Sequence, residues 1–113
     1  MITIYHNPKC GKSRNALKFL EESGQQIEVV EYLKNTPAKE ELKSVIQKLG
    51  IKAHDLIRVK EEIYKEKYKG KILSDDEWID VLVENPILIE RPIVINKNKA
   101  VIAREEGKIE TII

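Results

Sequence analysis

Sulfur is scarce in this 113-residue chain, which has one cysteine, Cys10, and one methionine. A single thiol excludes an internal disulfide. Together with two separated histidines it falls short of a zinc ligand set, so no metal site is expected. Long apolar runs are missing too, and none approaches the roughly 20 residues a membrane span needs. There is no basic segment followed by an apolar one at the start, so no signal peptide is expected. Charge of one sign is also lacking: 20 basic residues face 19 acidic ones, for a net charge of +1. That balance gives no reason to expect a nucleic-acid partner or a polybasic membrane surface. With only five glycines and four prolines there is no linker, repeat or low-complexity stretch. What remains, 42% hydrophobic and 35% charged, fits one folded domain over residues 1–113. The expected compartment is the cytoplasm, where a lone thiol stays reduced.

The surroundings of that thiol organise the rest. Ile2 to His6 alternates as a strand does, Asn7-Pro8 breaks it, and from Gly11 the pattern turns helical with Ala16, Leu17 and Leu20 on one face. Cys10 therefore falls between a strand end and a helix start, facing unpaired N–H groups and the positive end of the helix dipole. Both favour thiolate over thiol, and Lys9, Lys12 and Arg14 add positive charge. A lone cysteine is commonly a small core hydrophobe. This one is flanked by Lys9 and Gly11 in a loop marked by proline and glycine, so it reads as a nucleophile.

The remaining elements follow in order. Helix one is expected over Gly11–Ser23, stopped by Gly24, and strand two over Gln26–Tyr32. Strand, helix, strand predicts a right-handed crossover and a parallel pair. Thr36-Pro37 reads as N-cap and first turn of a helix ending at Gly50. Ala53 to Tyr68 reads as helical in pieces, with a solvated Lys/Glu face. Ser74 to Glu77 is a capping box for a helix carrying Trp78, which is expected in the core. Pro92–Asn96 and Ala100–Ala103 read as a hairpin across Lys97-Asn98-Lys99, followed by a short tail. The sum is an α/β chain: a thioredoxin-like four-stranded mixed sheet with a helical insertion.

Several motifs fail. Gly11-Lys12-Ser13 resembles the end of a phosphate-binding loop, but His6 stands where its first glycine belongs. A phosphatase-type loop needs arginine where Ala16 stands, and a redox Cys-x-x-Cys would need cysteine at Ser13.

Two segments do match a known pattern. Tyr5-His-Asn-Pro-Lys-Cys10-Gly-Lys-Ser-Arg-Asn15 and Asn85-Pro-Ile-Leu-Ile-Glu-Arg91-Pro92 resemble the two signatures of the ArsC-type, glutaredoxin-coupled arsenate reductases. The resemblance runs over nearly the whole chain. It implies a thioredoxin-like fold, Cys10 as nucleophile, and His6 as an aid to thiol activation. It implies oxyanion-binding roles for Arg58, Arg91 and Arg104, with Ser13, Asn7 and Gly11 in the active-site loop. Thioredoxin-like folds also set a cis proline beside the thiol, which makes Pro92 the expected cis residue. The chain departs from the family at Glu105 and Glu106, where a proline usually follows the third arginine, and their charge is expected to weaken anion binding. It also ends early, so the family's C-terminal helical tail is expected to be reduced.

Arginine suits such a substrate because its charge is permanent and its donors are bidentate. Taken alone, Arg58 reads equally as a surface residue and His6 as a strand-end cap. The expected function is thiol-dependent reduction of arsenate, or a related oxyanion, to arsenite. With one sulfur the chain, expected as a monomer, cannot resolve its own covalent intermediate. Glutathione is therefore expected as co-substrate, its carboxylates met by a basic rim including Lys9 and Lys12, with glutaredoxin as partner and no bound cofactor. Two alternatives share the fold. One is an Spx-like RNA-polymerase-binding regulator, disfavoured by Ser13 and the early stop. The other is a protein acting on glutathione adducts.

Overall fold

Four short strands make one mixed sheet, and the thiol loop follows the end of its first strand. The computed structural model describes residues 1–104 and 107–113. They fall into two compact units: Met1–Thr36 with Arg91–Ile113, and Pro37–Glu90.

In the first unit β1 (Ile2–Tyr5) is the apolar alternating run, with Ile2, Ile4 and Tyr5 buried. α1 (Gly11–Glu22) follows the Asn7-Pro8 break, and its Ala16 and Leu20 are buried against Ile2, Ile4 and Val94. Gly24, at φ 78°, supplies the left-handed turn that ends it. β2 (Ile27–Val30) then pairs parallel to β1, Ile2 opposite Ile27, as the strand–helix–strand order requires. β3 (Ile93–Asn96) runs antiparallel to β1, and β4 (Lys99–Ile102) antiparallel to β3, giving the order β2-β1-β3-β4. The hairpin turn is one residue shorter than its sequence suggests. Lys99 pairs with Asn96, leaving Lys97-Asn98 as the turn and Lys97 at φ 57°. The tail folds back: a 3₁₀ turn at Ile109–Thr111 buries Ile109 in the α1–sheet core, and the Asn96 side-chain amide donates to the Ile112 carbonyl. Glu105 and Glu106, on which the expected weakening of anion binding rests, lie outside the described residues.

The second unit is the helical insertion between β2 and β3. α2 (Lys39–Leu49) presents Leu42, Val45 and Ile46 to the interior and ends at Gly50, φ 69°. Its start corrects the sequence reading. Ala38, not Thr36, is the N-cap, because the Thr36 hydroxyl donates to the Tyr32 carbonyl at 3.1 Å and closes the turn after β2. The stretch read as helical in pieces is a 3₁₀ turn, Ala53–Leu56, then α3 (Glu62–Lys67). α4 (Asp75–Glu84) carries the expected capping box. The Glu77 N–H donates to Ser74 Oγ at 3.2 Å, and the Ser74 N–H donates to the Glu77 carboxylate at 2.9 Å. Trp78 is buried, as expected, with His54 edge-on at 4.9 Å. Ile57 and Ile89 form an isolated antiparallel bridge just before the chain returns to the first unit. No helix among the described residues is long and apolar enough to cross a membrane.

Candidate active site

Because β3 pairs with both β1 and β4, the registers bring three chain ends together. Tyr5 sits opposite Ile93, and Ile93 opposite Ile102. The Ala103 N–H extends the second ladder to the Pro92 carbonyl at 2.8 Å. Arg91 immediately precedes Pro92 in the chain and Arg104 immediately follows Ala103. The end of β1, the start of β3 and the end of β4 thus share one sheet edge.

From β1 the chain enters the loop at His6. Asn7 is its brace: its carbonyl accepts the Cys10 N–H at 3.0 Å and its Oδ1 accepts the Lys9 N–H at 3.0 Å. Its own N–H donates to Ser13 Oγ at 3.0 Å. Ser13, fully buried, shares a 2.6 Å hydrogen bond with Nδ1 of the buried His6. Ser13 Oγ is thus shared between the Asn7 N–H and the His6 ring, which gives buried polar groups hydrogen-bond partners. Burial holds the His6 imidazole below its ordinary value; Glu31 and Glu21 pull it up and Arg14 pushes it down. The hydrogen bond of His6 therefore runs to Ser13, which in turn meets the thiol through its backbone.

Cys10 is the N-cap of α1, with extended backbone, φ −98° and ψ 122°. Half-burial pushes its thiol up, but four contacts outweigh that. The Ser13 N–H, the charge of Arg91, the Lys12 N–H and a hydrogen bond from Arg91 together bring it below its ordinary value. The expected N–H groups are thus present, whereas the charge comes from Arg91. Lys12 Nζ is turned to the Arg104 carbonyl at 3.0 Å, and Arg14 donates to the Pro8 carbonyl at 3.0 Å. Arg14 braces the loop, a role its sequence position did not announce. At Gly11 an added Cβ would lie 3.7 Å from Arg14 Nη2, ordinary contact, so packing alone does not demand glycine there.

Arg91 precedes Pro92 across a cis peptide bond, as the thioredoxin-like pattern anticipates. Its Nε is buried and has no hydrogen-bond partner among the described residues. The guanidinium thus acts on the thiol while its Nε remains a buried donor. The Arg104 side chain is exposed, and its backbone carbonyl is what Lys12 binds. Arg58 belongs to the second unit. There its guanidinium lies 3.4 Å from Glu61 and 3.8 Å from Glu90, and the Arg58 backbone N–H donates to the Leu88 carbonyl at 2.8 Å. The structure thus gathers Cys10, His6, Asn7, Gly11, Ser13, Arg91 and Pro92 into one loop and sheet edge. No group of three or more His, Cys, Asp or Glu among the described residues is arranged to hold a metal ion.

A cysteine at the N-cap of the helix after β1, with a cis proline just before β3, marks the thioredoxin-like class. Within that class the chain belongs to the ArsC family, whose profile matches residues 5–112. It is 42% identical over 114 residues to an arsenate reductase of Neisseria meningitidis, covering 99% of this chain and 97% of that one. Against an arsenate reductase of Escherichia coli it is 42% identical over 95 residues, 83% of this chain and 67% of the relative. The solved structure of an arsenate reductase from Vibrio cholerae superposes with a TM-score of 0.94 at 43% identity, covering 99% of this chain and 97% of that chain.

Proposed function

We propose that the chain is an enzyme that reduces arsenate to arsenite through a covalent intermediate on Cys10. The observation that carries this reading is Arg91, whose guanidinium meets the Cys10 sulfur while its buried Nε has no partner. A tetrahedral oxyanion beside the thiolate supplies the missing acceptor, and it brings its central atom within reach of the nucleophile. The names of the relatives make arsenate the oxyanion of choice.

The Cys10 thiolate attacks arsenic, and one arsenate oxygen leaves as water. A glutathione thiolate then attacks the Cys10 sulfur. The electron pair of the sulfur–arsenic bond passes to arsenic, which leaves as arsenite. Cys10 is left in a mixed disulfide with glutathione. Glutaredoxin takes the glutathione by thiol–disulfide exchange and frees the Cys10 thiolate. Arg91 neutralises the anion, with Arg104 and Arg58 as further donors. His6, Asn7 and Ser13 are positioning residues that fix the loop and the N–H groups aimed at the sulfur, and Pro92 aims Arg91. No bound cofactor is needed. The family match running through both compact units supports their acting as one ArsC-type domain. We place this domain in the cytoplasm as a monomer, where the glutathione pool keeps Cys10 reduced.

The test is arsenite formation from arsenate with glutathione and glutaredoxin, by wild type and by Cys10→Ser. The wild type is expected to form arsenite and Cys10→Ser none. Equal rates, or none from the wild type, would refute the assignment.

A further inference from the structure

The first unit holds a cavity of about 580 Å³ between α1 and the segment that follows β4. One wall is a single helical face, including Lys12, Asn15 and Phe19; the other includes Arg104, Ile109 and Glu110. Its size falls within the roughly 300–1,000 Å³ of small-molecule sites. Its floor is apolar: Ile109 is anchored in the sheet core, and Phe19 is 37% exposed, an aromatic left uncovered on the helix. Its rim carries both signs of charge. Lys12 and Arg104 are held together, the Lys12 Nζ donating to the Arg104 carbonyl, and Glu110 supplies the carboxylate.

Lys12 is also the joint between cavity and thiol, because it lines the cavity from the first turn of α1, whose N-cap is Cys10. From Lys12 to Phe19 the helix rises about 10 Å, at 1.5 Å per residue. An extended tripeptide spans about the same length, at 3.3–3.6 Å per residue.

We infer that this cavity is the docking site for the thiol co-substrate: a zwitterionic tripeptide thiol of the glutathione class. Its sulfur meets Cys10, and one arm lies along the α1 face. Lys12 and Arg104 take a carboxylate, Glu110 takes the ammonium, and Phe19 with Ile109 carries the peptide body. The inference rests on the reductase reading for the reaction it serves, but the binding itself can be measured without arsenate.

Two disulfides are used to thiolate Cys10: oxidised glutathione and bis(2-hydroxyethyl) disulfide. In each case the thiolate attacks one sulfur, the S–S bond breaks, and the other half leaves as thiolate. Asn15→Trp fills the cavity and Glu110→Lys reverses one charge. Each is expected to slow the glutathione reaction about tenfold, the size of one lost charge-assisted contact. The hydroxyethyl rate is expected to stay unchanged, which also shows that the fold and the thiol are intact. The unreactive analogue S-methylglutathione is expected to shift the amide resonances of Asn15, Phe19 and Ile109. Equal slowing of both disulfides, no slowing of either, or shifts confined to other elements would overturn the proposal. Glutathione-selective thiolation in a protein that forms no arsenite would remove the reductase reading and leave the cavity assignment standing. Arsenite formation with an unchanged glutathione KM in both variants would do the reverse.

Discussion

An exposed cysteine titrates near pH 8.5, and burial without partners raises that value. Cys10 goes the other way because two N–H groups and one guanidinium meet its sulfur. Alkylation rate against pH should therefore give a midpoint below about 8.5. Arg91→Ala should raise that midpoint, since it removes both a charge and a hydrogen bond, and should lower kcat/KM for arsenate by about 10²–10³-fold. A midpoint at or above the free value in the wild type would contradict this account of the thiol. Ser13 tests the buried network. Ser13→Ala leaves the Asn7 N–H and His6 Nδ1 without their shared partner, at a cost of about 1–3 kcal/mol in denaturant unfolding. The thiol midpoint should move less than in Arg91→Ala, because the Ser13 N–H survives the substitution. At this scale the sequence announced a cysteine at a helix start, and the structure puts Cys10 there, but the cations near it in the chain are turned elsewhere. Lys9, Lys12 and Arg14 are near in the chain, yet the charge on the sulfur is Arg91, delivered by a strand register that no local pattern records.

Element boundaries follow the same division between local and distant causes. The capping box at Ser74 was legible because both partners lie within four residues, and both hydrogen bonds form. Ser74→Ala should lower stability by about 1 kcal/mol, read as a shift in urea midpoint with unchanged slope. An unchanged midpoint would mean that the cap contributes nothing. Thr36 was misread as a cap because its hydroxyl had a second acceptor, the Tyr32 carbonyl, created by the turn after β2. The tail was illegible for a further reason. Ile109 has few apolar neighbours in sequence, and only the sheet and α1 supply its core. The cavity between that tail and α1 was unreadable for the same cause. At Gly50 the local signal was sufficient: φ is 69°, and Gly50→Ala should cost about 1–2 kcal/mol through backbone strain alone, since no neighbour lies within 4 Å of an added Cβ.

For the whole molecule, pH acts through His6 as well as Cys10. Burial holds the folded imidazole below the ordinary value of about 6.5. As pH falls through that value the unfolded chain takes up a proton that the native chain does not. Stability therefore drops from about pH 6.5 downwards, until the folded imidazole itself protonates. Urea midpoints between pH ~7.5 and ~5.5 should fall more steeply in the wild type than in His6→Gln. Parallel slopes would show that His6 does not titrate differently in the two states. Turnover depends on sulfur number in the same global way. One cysteine can bind arsenic but cannot both form and break the disulfide that reduction requires. The fold and the thiol's position were readable from the chain because β-α-β order and a helix start are local signals, while the single sulfur is what motivates the proposal of an external thiol. The most direct measurement counts arsenite molecules formed per chain under two reductant systems. The account predicts many per chain with glutathione and glutaredoxin, and no sustained turnover with thioredoxin and its reductase when glutathione is absent. Robust cycling on thioredoxin alone, or a competent Cys10–Cys10 disulfide dimer, would contradict it.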